Sequence, residues 1–253
     1  MTKKEIRYIV DEGNSLVKIA AYQGEKWLLF DSGEELSDAF LANFLSKVDA
    51  TDEKSERPKL IFSSVRGDTS AQMALLSRYF DVLFFDHQTK IPIVNLYETP
   101  KTLGKDRLAA AVGAAALLPE TNILIVDAGT CITYDLIDRH RNYRGGGIMP
   151  GFSMNLKALH TFTGNLPFLS LKLAPDLCGR NTSEAILAGS VNAVLLGLDA
   201  IIDRFRLTYP DLKTITCGGD SNLLHDNLKN DTFAEPKLAL YGLKKILDFN
   251  EDT

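Results

Sequence analysis

The sequence predicts an α/β protein made of two related halves, each opening with a strand that ends in an Asp-x-Gly turn. Strand-like and helix-like segments alternate after the opening hairpins, which is typical of layered α/β folds. The segment Ile-Val-Asp-Glu-Gly-Asn at residues 9–14 also returns as Ile-Val-Asp-Ala-Gly-Thr at residues 125–130. Asp11 and Asp127 are separated by close to half of the 253-residue chain, which favours an internal duplication.

The first half is expected to open with an antiparallel meander, because apolar runs alternate there with short turns. A charged loop is predicted at residues 51–57. Strands are predicted at residues 7–10, 15–22, 26–30, 60–62 and 82–85, and helices at residues 34–48 and 71–79.

An alanine-rich helix is predicted at residues 107–118, with Asp106 in its N-terminal capping region and Pro119 at its end. The pattern then restarts, so we expect one domain at residues 1–117 and a second at residues 118–253. In the second half, strands are predicted at residues 123–126, 131–137 and 214–217, and helices at residues 153–162, 183–208 and 237–249.

Residues 143–151 read Tyr-Arg-Gly-Gly-Gly-Ile-Met-Pro-Gly. Three consecutive glycines followed by Pro-Gly are unfavourable in a strand interior. The sequence therefore predicts a glycine-rich loop here, in which the backbone bends tightly or passes close to another group.

Composition excludes several classes of protein. The net charge is −5 and basic residues are scattered, so no nucleic-acid partner is indicated. The start of the sequence lacks a signal-peptide pattern, and the apolar stretch at residues 108–118 is too short to span a bilayer. Three widely spaced cysteines suit a reducing compartment. We therefore expect a cytoplasmic protein without a membrane partner. Zinc-protease, serine-nucleophile, Walker A and Rossmann motifs are absent from the sequence.

The two Asp-x-Gly turns are suited to binding phosphate. Glycine lets an anion approach free backbone N–H groups without a Cβ in the way. Asp11 and Asp127 would repel phosphate unless a cation lay between them, so the paired turns indicate bound metal ions. The alternative is two ordinary hairpins with acidic turn residues.

Asp106 begins the alanine-rich helix next to Arg107. The positive end of a helix keeps a carboxylate ionised, and a modest base is sufficient for phosphoryl transfer to a hydroxyl group. Arg107 offers a cation for a carboxylate or a phosphate. The alternative is a helix cap followed by a surface arginine.

Two glycines, Gly218 and Gly219, follow the strand predicted at residues 214–217. Without side chains they would let the backbone lie against a flat ring such as adenine. The alternative is an ordinary strand-to-helix turn.

Taken in order, these motifs resemble type III pantothenate kinases, which belong to the superfamily of acetate kinase, sugar kinases, Hsp70 and actin. The resemblance covers almost the whole chain. It implies two RNase H-like (actin-like) domains with the active site in the cleft between them. It rests on residues 11–15, 63–65, 97–100, 104–107, 127–135, 145–151, 181–182 and 217–220.

The resemblance also implies a reaction, in which ATP and pantothenate give ADP and 4′-phosphopantothenate, the first step towards coenzyme A. It implies that Asp106 is the base, that Asp127 holds K⁺ or NH₄⁺, that Mg²⁺ accompanies ATP, and that the protein is a homodimer. It assigns ATP binding to Asp11, Glu12, Gly13, Asn14, Ser15, Leu16, Val17, Lys18 and Thr130, and substrate binding to Tyr97, Gly104, Lys105, Asp106, Arg107 and Thr182.

Two other functions are compatible with the same fold. One is a non-catalytic regulator that binds a nucleotide and a partner protein, and Asp106 argues against it. The other is an acyl-phosphate or sugar kinase, which fits the phosphate turns but not the block at residues 97–107. Because one fold serves many functions, the choice depends on the site residues.

Overall fold

The structure is a computed structural model that describes residues 5–48, 57–173 and 176–251. The chain divides into two compact units, and neither is continuous in sequence. The first unit comprises Met1–Ile93, Glu98–Ala116 and Ala239–Thr253, and the second comprises Val94–Tyr97 and Leu117–Leu238. The expected boundary after residue 117 and the expected cleft stay predictions. Apart from Arg57, the charged loop predicted at residues 51–57 lies outside the described residues.

The strands and helices follow the predicted order, with their ends shifted by a few residues. The elements β6, β9, β11 and α7 were not predicted, and the helix predicted at residues 183–208 is divided into two. The strands are β1 Ile6–Glu12, β2 Val17–Gln23, β3 Lys26–Gly33, β4 Lys59–Ser64, β5 Asp81–Phe84, β6 Val94–Asn95, β7 Ile123–Ala128, β8 Cys131–Ile137, β9 Asn142–Pro150, β10 Lys213–Cys217 and β11 Phe233–Ala234. The helices are α1 Asp38–Lys47, α2 Ser70–Leu76, α3 Lys105–Leu117, α4 Phe152–Phe162, α5 Thr182–Leu187, α6 Ala193–Thr208, α7 Ser221–Asn227 and α8 Leu238–Glu251, with a π-helical turn at Ala188–Asn192 between α5 and α6.

The two units contain sheets that share a five-strand topology, to which the second sheet adds β6 at one edge. The first sheet has the order β3-β2-β1-β4-β5, and the second has β11-β10-β7-β8-β9-β6. In each sheet three consecutive strands form an antiparallel meander, and the first of them pairs in parallel with a fourth strand, which pairs in parallel with a fifth. Strands β1 and β7 therefore hold equivalent places, and the predicted α/β class with two related halves is confirmed.

Each unit has its own hydrophobic core. In the first, side chains of the meander pack with α1 and α2, as shown by the fully buried Ile19, Leu41 and Leu76. In the second, Val126 and Phe152 pack with Leu198 of α6. Each sheet therefore holds its first strand, and the aspartate on it, against a packed apolar layer.

Helix α8 completes the first unit although it follows the second in sequence. Gly242 lies so close to α3 that a Cβ on it would stand 1.8 Å from the carbonyl oxygen of Ala109. The side chain of Lys244 is only 1% exposed, and its Nζ donates to Glu25 Oε1 at 3.1 Å and to Asp248 Oδ2 at 3.0 Å. Because a buried charge is tolerated when it is paired, these contacts fix α8 on the first sheet.

The prediction of a loop at residues 143–151 is wrong, because Gly145, Gly146 and Gly147 lie inside strand β9. The expectation of close backbone approach is confirmed. A Cβ on Gly146 would stand 1.7 Å from the carbonyl oxygen of Tyr134, and one on Gly147 would stand 2.3 Å from Cζ of the Tyr134 ring. The pairing register shifts beside Gly145, whose φ is +91°. This arrangement is a β-bulge, where glycine is favoured inside a strand.

One helical run is longer than the apolar stretch at residues 108–118, which is too short to span a bilayer. Thr182–Thr208 spans 27 residues, and length and composition alone would let it cross a membrane. Half of its most apolar window is buried inside the structure. Val194, Leu195 and Ile202 of this run belong to the core of the second unit. The run therefore has the burial of a core helix, which passes the same test.

Candidate active site

The first Asp-x-Gly turn lies at the end of β1. Its backbone closes through a hydrogen bond from Gly13 N to the carbonyl oxygen of Leu16, at 2.9 Å. Asn14, Ser15 and Leu16 are exposed at the tip. A Cβ on Gly13 would stand 3.2 Å from the Leu16 oxygen, so a side chain there would crowd the turn. The exposed backbone of this turn is the part that an anion can reach.

Asp11 is nearly buried, with 7% of its surface exposed. Strand register places it directly opposite Lys18 of β2 and beside Ser63 of β4. The Ser63 hydroxyl is buried and has no hydrogen-bond partner in the described part of the chain. The structure therefore places a lysine one strand away from the first aspartate.

Glu12, the next residue, is fully buried. Its carboxylate accepts hydrogen bonds from Ser64 Oγ at 2.7 Å and from Gln72 Nε2 at 3.2 Å, and it forms an ion pair with Arg66 at 3.4 Å. Val17 is also fully buried, in the core. Glu12 and Val17 can therefore serve a bound nucleotide only through their backbone groups.

Asp106 is the second residue of α3, and its side chain folds back over the start of the helix. Its Oδ1 accepts a hydrogen bond from the backbone N–H of Arg107 at 2.8 Å. A Cβ on Gly104 would stand 2.6 Å from the same oxygen. Gly104 therefore leaves the space that the Asp106 carboxylate occupies.

The two basic residues beside Asp106 have different surroundings. The Nζ atom of Lys105 lies 4.4 Å from the centroid of the Phe84 ring, a distance that suits a cation–π contact. Burial lowers the pKa of Lys105, and the charge of Asp86 partly opposes this change. Arg107 is buried, with 6% of its surface exposed. The alternative of a surface arginine is therefore wrong.

The second Asp-x-Gly turn lies at the end of β7. Gly129 N donates to the carbonyl oxygen of Cys131 at 3.0 Å, and Thr130 is exposed at the tip. Gly151, which follows β9, donates its N–H to the Thr130 oxygen at 3.2 Å. A Cβ on Gly151 would stand 2.3 Å from the Gly129 oxygen. The Pro-Gly segment at the end of β9 thus packs against the backbone of this turn.

Asp127 has a different neighbourhood from Asp11. It lies directly opposite Thr133 of β8 and beside Cys217 of β10. The Thr133 hydroxyl is buried and lacks a hydrogen-bond partner among the described residues. At Gly218, where φ is +85°, a Cβ would stand 2.3 Å from Asp127 Oδ1 and 2.4 Å from the Ala128 oxygen.

These surroundings fit a hard cation of low charge. A carboxylate, a backbone carbonyl and an unpartnered hydroxyl are oxygen ligands of the kind that such ions prefer. No group of three His, Cys, Asp or Glu side chains forms a metal cage in residues 5–48, 57–173 and 176–251. A cation at Asp127 would therefore depend on one carboxylate, a hydroxyl group and backbone oxygens.

Tyr97 belongs to the second unit although it lies early in the sequence. It follows β6, which pairs in parallel with β9. Thr182 also lies in the second unit, exposed at the first position of α5. The preceding Asn181 caps this helix by accepting a hydrogen bond from Glu184 N at 2.9 Å.

Some of the site geometry was not predicted. Gly218 was considered as a surface for adenine, but the structure places it against Asp127. In the sequence, the Gly-Gly pair after β10 was the one signal that the backbone passes close to another group at Gly218. Arg66 was not considered, and it links the first turn to β4 by donating from Nε to the Gly13 oxygen at 3.3 Å.

The repeated sheet, with an aspartate at the end of each first strand, defines a protein of the actin-like class. Solved structures of the same fold support this class. A Baf family transcriptional activator from Campylobacter jejuni matches with a TM-score of 0.61 at 20% identity, covering 97% of this chain and 100% of that one. An activator of 2-hydroxyisocaproyl-CoA dehydratase from Clostridium difficile, with bound ADPNP, matches with a TM-score of 0.54 at 10% identity over 98% of both chains. At these identities the likeness shows the fold alone.

Sequence comparison identifies the family. A model of the type III pantothenate kinase family matches residues 8–204. The chain is 40% identical to the type III pantothenate kinase of Christiangramia forsetii, over 96% of this chain and 98% of that protein. It is 37% identical to that of Bacteroides fragilis, over 96% of this chain and 97% of that protein. The chain belongs to the type III pantothenate kinase family.

Proposed function

We propose that this chain phosphorylates pantothenate with ATP, as the first step of coenzyme A synthesis, and that Asp106 is the general base. The observation that carries the role of Asp106 is its carboxylate, held by the Arg107 N–H at 2.8 Å over the space that Gly104 leaves open. A base must be held in place before it can accept a proton in the transition state. A regulator without catalysis would gain nothing from this arrangement.

The reaction requires one bond to form and one to break. The hydroxyl oxygen of pantothenate attacks the γ-phosphorus of ATP, and the bond from that phosphorus to the β–γ bridging oxygen breaks. The hydroxyl proton passes to the Asp106 carboxylate, and ADP leaves with the bridging oxygen. Because such a transition state is loose, positioning and charge stabilisation supply most of the rate.

ATP binding falls to the two Asp-x-Gly turns. The exposed backbone of residues 14–16 offers N–H groups to the phosphates, and Lys18 lies opposite Asp11 on the next strand. Thr130 at the tip of the second turn adds an exposed hydroxyl group. These contributions do not need the buried side chains of Glu12 and Val17.

A kinase of this family uses a divalent metal with ATP, and we take that metal to be Mg²⁺. It would offset the charge of the phosphates near Asp11. A second, monovalent cation, K⁺ or NH₄⁺, fits at Asp127, where the Ala128 carbonyl and the Thr133 hydroxyl supply further oxygen atoms. When bound, these ions supply electrostatic stabilisation of the phosphates.

Pantothenate carries a carboxylate, for which a buried arginine is a suitable partner. Arg107 is nearly buried next to the base. Tyr97 offers a ring and a hydroxyl group, and Thr182 offers a hydroxyl group at the start of α5. We assign these three side chains to the acceptor, with Gly104 and Lys105 shaping the backbone beside Asp106.

We further propose a homodimer in which the partner subunit helps to close the pantothenate pocket, and a cytoplasmic location. Cys131, Cys178 and Cys217 form no disulfide in the described part of the chain, which suits a reducing compartment. Sedimentation of the purified protein tests the dimer, and a monomer that retains full activity would contradict it.

The decisive experiment measures ADP release by a coupled assay with pantothenate as acceptor. Acetate and glucose serve as matched acceptors, because the superfamily also holds acetate and sugar kinases. Of the three acceptors, we expect only pantothenate to give ADP release. Release with acetate or glucose but not with pantothenate would refute the proposed substrate.

A further inference from the structure

The segment that carries Tyr97 is joined to the second sheet by few backbone hydrogen bonds. Strand β6 consists of Val94–Asn95 alone. Val94 N donates to the carbonyl oxygen of Arg141 at 2.9 Å, and Leu96 N donates to that of Tyr143 at 3.1 Å. The Asn95 side chain accepts from Tyr97 N at 3.0 Å. These few bonds fix the path of the chain up to Tyr97, but they leave its ring to be placed by other contacts.

The ring of Tyr97 rests on Gly145. Asn95 pairs with Tyr143 in the parallel register of β6 and β9, so Tyr97, two residues further on, reaches the level of Gly145. A Cβ on Gly145 would stand 3.3 Å from Cδ2 and 3.4 Å from Cε2 of the Tyr97 ring. Such contacts are tighter than ordinary van der Waals packing, so a side chain at residue 145 would displace the ring.

A second aromatic residue supports the first. The ring centroids of Tyr97 and Tyr143 lie 6.2 Å apart, with an angle of 51° between the ring planes. Tyr143 is fully buried, and its hydroxyl donates to Asp135 Oδ1 at 2.6 Å. Asp135 is itself buried. A short hydrogen bond between two buried groups leaves the Tyr143 ring little freedom to move.

We propose that Gly145, together with Tyr143 and Asp135, positions the Tyr97 ring for the acceptor and thereby sets the affinity for pantothenate without contacting it. The inference depends on the substrate role given to Tyr97 in the proposed function. Gly145 suits this role because it lies at the bulge of β9 with a φ of +91°, which glycine adopts without strain. Its lack of a side chain also leaves room for the Tyr97 ring. Gly145 is a positioning residue and takes no part in the chemistry.

The test replaces Gly145 with Ala and measures KM for each substrate. We expect the KM for pantothenate to rise roughly tenfold, because the displaced Tyr97 ring would lose a contact with the bound pantothenate. The KM for ATP should stay within about twofold. Tyr143→Phe, which removes only the bond to Asp135, should raise the pantothenate KM by a smaller factor and should fold normally. A rise confined to pantothenate distinguishes positioning from a general loss of structure.

The matched control is Gly24→Ala. Gly24 also has a positive φ, of 58°, and it lies in the turn between β2 and β3, so its replacement imposes a similar backbone strain without touching Tyr97. We expect both KM values to stay near those of the parent. If Gly24→Ala reproduced the effect of Gly145→Ala, backbone strain and not the position of the ring would be responsible, and the inference would be overturned.

A double-mutant cycle with Tyr97→Ala gives the final test. If Gly145 acts through Tyr97, Gly145→Ala should raise the pantothenate KM in the parent but not in the Tyr97→Ala background. Equal effects in both backgrounds, or no effect of Tyr97→Ala itself while the parent phosphorylates pantothenate, would refute the inference and leave the proposed function standing. Absence of pantothenate-dependent ADP release in the parent would instead refute the proposed function.

Discussion

Asp11 lies directly opposite Lys18 in the antiparallel pair formed by β1 and β2. The equivalent place opposite Asp127 is held by Thr133. A lysine directly opposite the first aspartate can offset its charge, whereas a threonine hydroxyl opposite the second cannot. The two Asp-x-Gly turns are therefore alike in backbone and different in charge. This difference supports phosphate binding at the first turn and a cation at the second.

Lys18→Met should weaken ATP binding, because the variant loses a positive charge near the phosphates and leaves Asp11 to repel them. We expect the KM for ATP to rise on the order of tenfold, with little change in the potassium concentration that gives half-maximal activity. Initial rates over a range of ATP concentrations measure the effect. The exposed Lys26 provides the control variant Lys26→Met. An unchanged ATP KM would contradict this role for Lys18.

Activity should depend on the monovalent cation through Asp127. We expect rates in potassium or ammonium to exceed those in sodium alone by roughly tenfold or more. Asp127→Asn should remove this dependence, and Gly218→Ala should weaken it, since the new Cβ would stand 2.3 Å from Asp127 Oδ1. Rates are measured in matched chloride salts at constant ionic strength. Equal rates of the parent in sodium and potassium would rule out the cation site.

Asp106→Asn should lower kcat while leaving substrate binding largely intact. An amide cannot take the hydroxyl proton, and general bases contribute about 10²–10⁴-fold to the rate. The KM values should change little, because the amide has the size of the carboxylate and the Arg107 N–H bond can persist. Steady-state kinetics with both substrates varied provide the measurement. Near-normal turnover would show that another group is the base.

Gly104→Ala should also lower kcat, by a smaller factor. The added Cβ would stand 2.6 Å from Asp106 Oδ1, so the carboxylate must rotate away, and we expect a loss of roughly tenfold. Gly67→Ala is the control, because a Cβ there meets no atom within 4 Å. If both variants behaved alike, the packing of Gly104 against Asp106 would have no catalytic consequence.

Stability should depend on pH through Asp138, in the turn between β8 and β9. Burial alone would raise its pKa, but hydrogen bonds from Asn142, Arg144 and the His140 N–H outweigh burial and lower the pKa to about 2. Because the folded pKa lies below the unfolded value of about 3.9, Asp138 stabilises the fold above pH 4. This contribution is lost as the pH falls towards 2.

Asp138→Asn should therefore lower the free energy of unfolding at pH 7 by about 1–2 kcal/mol. The difference from the parent should shrink as the pH falls from 4 to 2. Urea unfolding at several pH values measures it, with Asp226→Asn, at an exposed position of α7, as the control. A difference that stayed constant down to pH 2 would mean that ionisation of Asp138 is not its origin.

Local signals explain why most of the fold was predictable. Strand and helix periodicity and helix caps depend on short segments of sequence, so the first meander, β7, β8 and α3 were located from the sequence. The run of Gly145 to Gly147 was misread because its cause is tertiary. Gly146 and Gly147 are required by the backbone and ring of Tyr134, and Gly145 by the Tyr97 ring. No pattern within residues 143–151 reveals these neighbours.

The site was predictable only in part, for the same reason. Asp11, Asp106 and Asp127 could be proposed as candidates because each lies at a turn or helix start with a recognisable chemistry. The pairing of Tyr97 with Gly145 could not be predicted, because β6 is two residues long and joins a sheet whose other strands come later in the chain. The contrast between Lys18 and Thr133 needed the register of both hairpins.

Helix α8 has a consequence for how the protein is made. The first unit contains β1, yet it also contains α8, which packs on α3 and follows nearly all of the second unit in sequence. During synthesis the second unit must emerge from the ribosome before α8 can pack against α3 through Gly242. The unit that carries Asp11 and Asp106 is therefore incomplete until α8 has been synthesised, and a nascent chain truncated before α8 lacks this contact with α3.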